Sequence, residues 1–234
     1  LDLSNNLISI LKKGNFQKMS KLQKLKLQNN HISIIEARAF TNLCSLESLH
    51  LQDNKLSELS PKIFNGLKNV KTLLLHNNNI SRIQNHTFKN FSSLKTLSLE
   101  GNNIAEIASE LFYGLSELQH LNLQNNKIFT LQDDVFTTLS DLSHFDLSMN
   151  KISSMSNSTF KKLKNLKVLK LGNTGFHPEQ LKGLAQLKKL EVLNLFGNPI
   201  TDEVAGELLQ SSNLKRVYLW KTQLSEATIQ QLAR

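Results

Sequence analysis

Residues 46–69 read LESLHLQDNKLSELSPKIFNGLKN, and the placement of their apolar side chains decides the fold. Leu46, Leu49 and Leu51 face one way while Ser48 and His50 face the other, the two-residue alternation of a short strand. Asn54 follows. Its amide both donates and accepts, so it can bond turn backbone in its own coil and in an adjoining one. Leu56 and Leu59 continue the core, and Phe64 and Leu67 fill it from the far side. Working outward, the same frame returns every 24 residues with no insertion or deletion. The strand centre falls at Leu1, Leu25, Leu49, Leu73, Leu97, Leu121, Phe145, Leu169, Leu193 and Val217. The Asn position holds Asn6, Asn30, Asn54, Asn78, Asn102, Asn126 and Asn150, then Thr174, Asn198 and Thr222. The Phe position holds Phe16, Phe40, Phe64, Phe88, Phe112, Phe136 and Phe160, then Leu184, Leu208 and Leu232. A coil this short cannot bury its apolar face alone, so a fixed period of this size means stacked coils. Ten parallel strands about 4.8 Å apart make a sheet on the order of 45 Å long.

The frame LxxLxLxxNxI, backed by NxIxxI/L and aFxxLxxL, resembles the leucine-rich repeat. Residues 1–172 are similar to the "typical" 24-residue class of animal extracellular receptors, of the Toll-like receptor, Slit and variable lymphocyte receptor type. The resemblance implies an α/β solenoid, a curved horseshoe with about ten short parallel strands on its concave face. After Thr174 the convex backs change character. His177, Thr201 and Ser225 sit 24 apart where helix N-caps belong, Pro178 suits a first helical position, and Asp202, Glu203 and Glu226 favour a helix N-terminus. Leu181, Leu184, Ala185 and Leu187 form one helical stripe. Residues 175–234 look more like bacterial-type repeats, so the irregular convex side should turn helical in the last three coils. We expect a single domain over 1–234, with typical repeats over 1–174 and helix-backed repeats over 175–234. A short helix within Ser225–Arg234 should lie over the last coil. The chain begins inside a motif, leaving Leu1, Leu3 and Ile8 without a polar cap, which implies a missing N-terminal flank.

Several function classes are disfavoured. There is no GxGxxG, P-loop, HExxH or paired-cysteine motif, and no loop exceeds what the repeat permits. We therefore expect no catalytic residues, no cofactor and no metal. The only cysteine, Cys44, lies between Leu43 and Leu46 and should be a partly buried, inert thiol. No apolar run is long enough to span a bilayer. Four N-x-S/T sequons, at Asn79, Asn85, Asn90 and Asn157, are candidate glycosylation sites. With 26 Asn and 36 Ser plus Thr among 234 residues, chance alone supplies about four, so an extracellular location rests on the family resemblance.

The register also names the surface. Outward strand positions are mostly small and polar until the C-terminal end, where Arg216, Tyr218 and Trp220 share a coil and Phe196 stands on the coil before. These residue types dominate binding hot spots, so Phe196, Arg216, Tyr218 and Trp220, with Lys170, are candidate partner-binding residues. His120 and His144 are neighbours at one repeat position, with Asp146 two residues further on. Two imidazoles on an open sheet chelate metal poorly, but a stacked pair repels once both are protonated, which suits a pH-sensitive binding surface. Charge is segregated: residues 1–99 carry 14 basic and 5 acidic groups, 100–146 carry 1 and 8, and 147–234 carry 13 and 6. The basic ends can attract an acidic protein or a sulfated glycan, and the acidic middle argues against nucleic acid. The reading is a non-enzymatic protein-recognition module, the ectodomain fragment of a receptor or adhesion protein binding through its concave sheet. Its rivals are a structural or engineered scaffold without a ligand and the sensor portion of a larger signalling enzyme.

Overall fold

The computed structural model of the protein describes residues 1–156, 158–209 and 213–232. One parallel sheet holds nine strands in chain order: Lys24–Lys26, Ser48–His50, Thr72–Leu74, Thr96–Ser98, His120–Asn122, His144–Asp146, Val168–Lys170, Val192–Asn194 and Arg216–Tyr218. Every pairing keeps the same 24-residue offset, from Leu25 beside Leu49 to Leu193 beside Val217. The tenth strand expected at Leu1 is reduced to a single bridge between Asp2 and Lys26. That coil is paired on one side only; its Leu1 is exposed, and Leu3 and Ile8 are half-buried.

The strand-centre leucines are buried, and the apolar side chains form one continuous core from Leu11 to Leu208. Phe16, Phe40, Phe64, Phe88, Phe112, Phe136 and Phe160 are all buried within it. Their rings stack from coil to coil: Phe136 and Phe160 stand 6.1 Å apart with 6° between planes, and Phe112 and Phe136 stand 6.0 Å apart. Leu184 and Leu208 take over this role in the later coils, while the side chain of Leu232 lies outside the description.

The Asn positions carry the hydrogen bonding between coils. Asn126 Nδ2 donates to the carbonyls of Leu123 and Gln124 in its own coil and of Leu99 in the preceding one. Its Oδ1 accepts from the backbone N–H of Ile104, also in the preceding coil, at 3.0 Å. Asn30, Asn54, Asn78, Asn102 and Asn150 repeat this arrangement. Thr174 replaces it with different atoms: its hydroxyl donates to Leu171 O, and its own carbonyl accepts from Ile152 N. Exposed Asn6 bonds only Leu3 and Ser4 of its own coil.

A second ladder runs beside the first. Asn5, Asn29, Asp53, Asn77, Gly101, Asn125, Met149, Asn173, Gly197 and Lys221 all adopt φ between 52° and 69°. The chain must reverse here to bring the next residue's amide inward, and only Gly, Asn and Asp reach this region cheaply. Met149 and Lys221 are the exceptions.

The convex side differs along the chain. Early coils form two-residue parallel ladders, Ile10–Leu11 with Ile34–Ile35 and Glu58–Leu59 with Arg82–Ile83, followed by turns. The last three backs are helical: a 3-10 helix at Pro178–Gln186, then α-helices at Asp202–Leu209 and Glu226–Leu232. Gln180 Oε1 accepts from His177 N at 2.8 Å, Thr201 O accepts from Ala205 N, and Ser225 Oγ accepts from Thr228 N.

The final helix, Glu226–Leu232, contacts Asp202–Leu209 as the next member of the convex row. The outer face of the last coil, with Leu214, Val217, Leu219 and Leu224, lines an open depression of about 590 Å³ that Ile229 of this helix borders. One expectation is corrected: Cys44 is exposed, because Leu43 and Leu46 both point inward and the pair between them bulges outward at the turn.

Two stability predictions follow from the ladders. Asn126→Ala should cost about 3 kcal/mol or more in denaturant unfolding, since it orphans buried groups of two coils, whereas Asn6→Ala should cost under about 1 kcal/mol. Equal costs would contradict the shared-coil account. Met149→Asn should raise stability by about 0.5–1 kcal/mol by relieving the left-handed backbone, read as a higher denaturant midpoint; an unchanged or lower midpoint counts against it.

Candidate interaction surface on the concave sheet

The strands place the candidate residues in two groups. Toward the C-terminal end, Gly172, Phe196 and Trp220 occupy one repeat position on three successive coils. Phe196 and Trp220 stack with 4.9 Å between centroids and 6° between planes. Gly172 leaves the space on the other side: a Cβ there would sit 2.1 Å from Phe196 Cε1. Phe196 is thus pinned between coils and buttresses Trp220, which stays 55% exposed with Lys221 Nζ 5.0 Å from its ring centre. Tyr218 and Arg216 are exposed beside it on the same strand. Val168 and Val192 extend the apolar surface along the sheet.

The second group lies mid-sheet, around a shallow depression of about 330 Å³ lined in part by Ser98, His120, Asn122, His144, Asp146 and Lys170. His120 and His144 stack at 4.4 Å between ring centres. Ser143 Oγ sits 2.9 Å from His144 Nδ1. Asp146 is nearly covered, its Oδ1 accepting from Ser148 N and its Oδ2 facing Lys170 Nζ at 3.3 Å. Its neighbour Asn122 donates to Glu100 Oε2 and accepts from Gln124 N. At this depression the Asp146 carboxylate and the Asn122 amide are therefore already engaged, leaving the imidazole rings and Lys170 outermost. Four of the seven histidines, His50, His76, His120 and His144, lie on the concave face. The two groups join through Lys170, whose strand pairs with both Asp146 and Asn194.

Among the described residues no three metal-ligating side chains converge, and no helix is long and apolar enough to cross a membrane. The sequons differ in access. Asn79 and Ser81 are exposed, and Asn90 is half-buried. Asn85 donates to Glu110 Oε2 while its Thr87 is buried against Gln84 O. Asn157 lies outside the described residues.

The leucine rich repeat pattern matches residues 1–56, 44–104, 92–152, 116–176 and 140–200. The chain belongs to the leucine-rich repeat family. No curated protein sequence matches it. Among solved structures, a Leptospira interrogans leucine-rich repeat protein is 31% identical with a TM-score of 0.84, over 99% of this chain and 57% of that one. Toll-like receptor 13, solved in complex with a single-stranded RNA, is 32% identical with a TM-score of 0.83, over 96% of this chain and 33% of the receptor. Drosophila Toll, solved in its glycosylated complex with Spatzle, shares the fold at 21% identity and a TM-score of 0.84, over 96% and 36% of the two chains. This chain thus spans from a third to little more than half of the length of these three structures. Its relatives are bacterial and receptor-type alike, which fits the change of repeat character at Thr174.

Of the residues singled out in the sequence, Phe196, Arg216, Tyr218 and Trp220 fall in the first group and His120, His144, Asp146 and Lys170 in the second. Sequence position missed the role of Gly172, whose lack of a side chain is what seats Phe196, and it missed that Ser98, Asp146 and Ser148 are buried although they face outward. The 24-residue register would have exposed the first, because position 172 is the one before Phe196 in the same row.

For the leucine-rich repeat's histidine pair the electrostatics have a definite sign. Burial, then His120, Lys167 and Lys170, disfavour the charged form of His144 and hold its pKa below the ordinary 6.5. Below pH 6.5 an unfolded chain takes up this proton before the folded one. The associated stability is full above 6.5 and is lost as pH falls through the folded value. Proton NMR should show His144 titrating below 6.5, and His120→Gln should move its midpoint upward. A wild-type midpoint at or above 6.5 would refute the assignment.

Proposed function

We propose that this leucine-rich repeat chain is a non-enzymatic recognition module that binds a protein ligand on the C-terminal half of its concave sheet. One observation carries the reading: Trp220, stacked on Phe196 in the seat that Gly172 leaves open, stands exposed with Tyr218 and Arg216 on the last strand-bearing coil, two coils from Lys170. Large aromatic and guanidinium groups held in place lose little entropy on contact, which makes such clusters the centres of protein interfaces. The mid-sheet group of His120, His144 and Asp146 would border the footprint and make affinity fall or rise with protonation, according to the partner's charge.

The setting we infer is extracellular, in the ectodomain of a receptor or adhesion protein. Supporting it are the typical repeats over the first seven coils and the Toll-type structures among the relatives. In that setting Asn79, with both sequon residues open, is the sequon best placed to carry a glycan. A second reading, nucleic-acid binding, draws on the relative solved with single-stranded RNA. Against it, acidic groups cluster in residues 100–146, across the middle of the array.

The test is to identify partners by screening the chain against an array of extracellular protein domains and then to remeasure each with Trp220→Ala. The substitution should weaken binding by about 2 kcal/mol while shifting unfolding by less than about 1 kcal/mol. Partners indifferent to Trp220→Ala and Arg216→Ala would place the interface elsewhere. Binding to single-stranded RNA alone would favour the second reading.

A further inference from the structure

The edge of the sheet where chains enter the strands is not part of the concave surface, and in three consecutive coils it is lined with lysine. Lys161, Lys162, Lys164 and Lys167 come from one coil, Lys188 and Lys189 from the next, and Lys215 from the third; all seven are exposed. The repeat aligns them in rows: Lys164 with Lys188, and Lys167 with Lys215 across the intervening Glu191. Backbone and amide contacts fix several of them. Lys189 Nζ donates to Asn165 Oδ1 at 2.7 Å, Lys188 Nζ donates to Ala185 O at 3.1 Å, and Asn213 Nδ2 donates to Lys188 O. Glu191, the only carboxylate among these rows, pairs with Lys215 at 2.8 Å and is held ionised by Lys215 and Lys167. Asp141 borders the strip on the preceding coil, and Lys170 and Arg216 border it on the concave side.

We propose that this lysine edge is a docking strip for a linear sulfated glycan. Its form decides against other anions. The edge is open and has no cradle, so it suits an extended chain better than a small ion. None of the seven cations is an arginine, whose flat fork favours bidentate phosphate contact; ammonium groups are point charges that follow sulfates of variable spacing. No aromatic ring lies among them to stack a base, and the nearby Phe196 is already enclosed by Gly172 and Trp220. Among the described residues no large exposed apolar side chain stands between the lysines to anchor them in a lipid surface. The exposed residues between them, Ala185, Gln186 and Asn213, are small or polar and fit sugar hydroxyls. This strip is separate from the concave patch, so its test neither requires nor endangers the protein-binding reading.

The probe is a size-defined heparin oligosaccharide, titrated against the whole chain at physiological salt. Lys164→Glu, Lys188→Glu and Lys189→Glu combined should weaken binding by about tenfold or more. Lys55→Glu, Lys127→Glu and Lys151→Glu make the same charge change on the opposite edge and should alter it by less than about twofold. Thermal melts, and the matching Lys→Gln triple, separate lost binding from lost folding. Desulfated heparin should not bind. Equal loss in both triples would reduce the effect to net charge and overturn the proposal, as would full binding by the first triple or no binding by the wild type. Single-stranded RNA of equal charge binding more tightly, with the same lysine dependence, would replace the glycan with nucleic acid.

Discussion

The amide shared between successive coils is the constraint on which everything else rests. Each buried Asn satisfies carbonyls of its own coil and both a carbonyl and an N–H of the preceding coil, so neither coil is complete alone. Removing one leaves buried polar backbone in two coils without partners. The bond also fixes coil length. A one-residue insertion would carry the amide away from its neighbour's backbone and turn the leucine row outward. Ten coils of identical length are the outcome, and they place strand residues in straight rows.

Rows explain why the molecule's electrostatics come as ladders. Residues 24 apart are neighbours, so Asp2 meets Lys26, Glu47 meets Lys71, Asp146 meets Lys170 and Glu191 meets Lys215. On exposed positions such pairs contribute little to stability. Their effect is on surface pattern: they neutralise some rows and leave others charged. The concave face ends with much of its acid engaged, its histidines outermost and an aromatic group at one end, while the strand-entry edge keeps an excess of lysine.

The strict period made the core, the Asn row, the Phe row and the helical backs legible, because each depends on residue type at a fixed spacing. What escaped depends on a neighbour's shape or on direction. The left-handed residues were hidden next to the Asn row: in pairs such as Asn29–Asn30 and Asn125–Asn126 two polar residues look redundant, although one turns the chain and the other bonds it. Cys44 sits between two inward leucines, and sequence gives no angle for the turn between them. At the candidate surface the sequence placed Phe196 and Trp220 on adjacent coils, but not the open seat at Gly172 on which their stacking depends.

That dependence restricts how this surface can diverge. A side chain at 172 would meet the Phe196 ring where it now lies, so any larger residue there displaces that ring from its stack on Trp220. Bulk at 172 and the seating of Trp220 are thus traded against each other, and a chain that gains a side chain at 172 gives up this arrangement of its aromatic end.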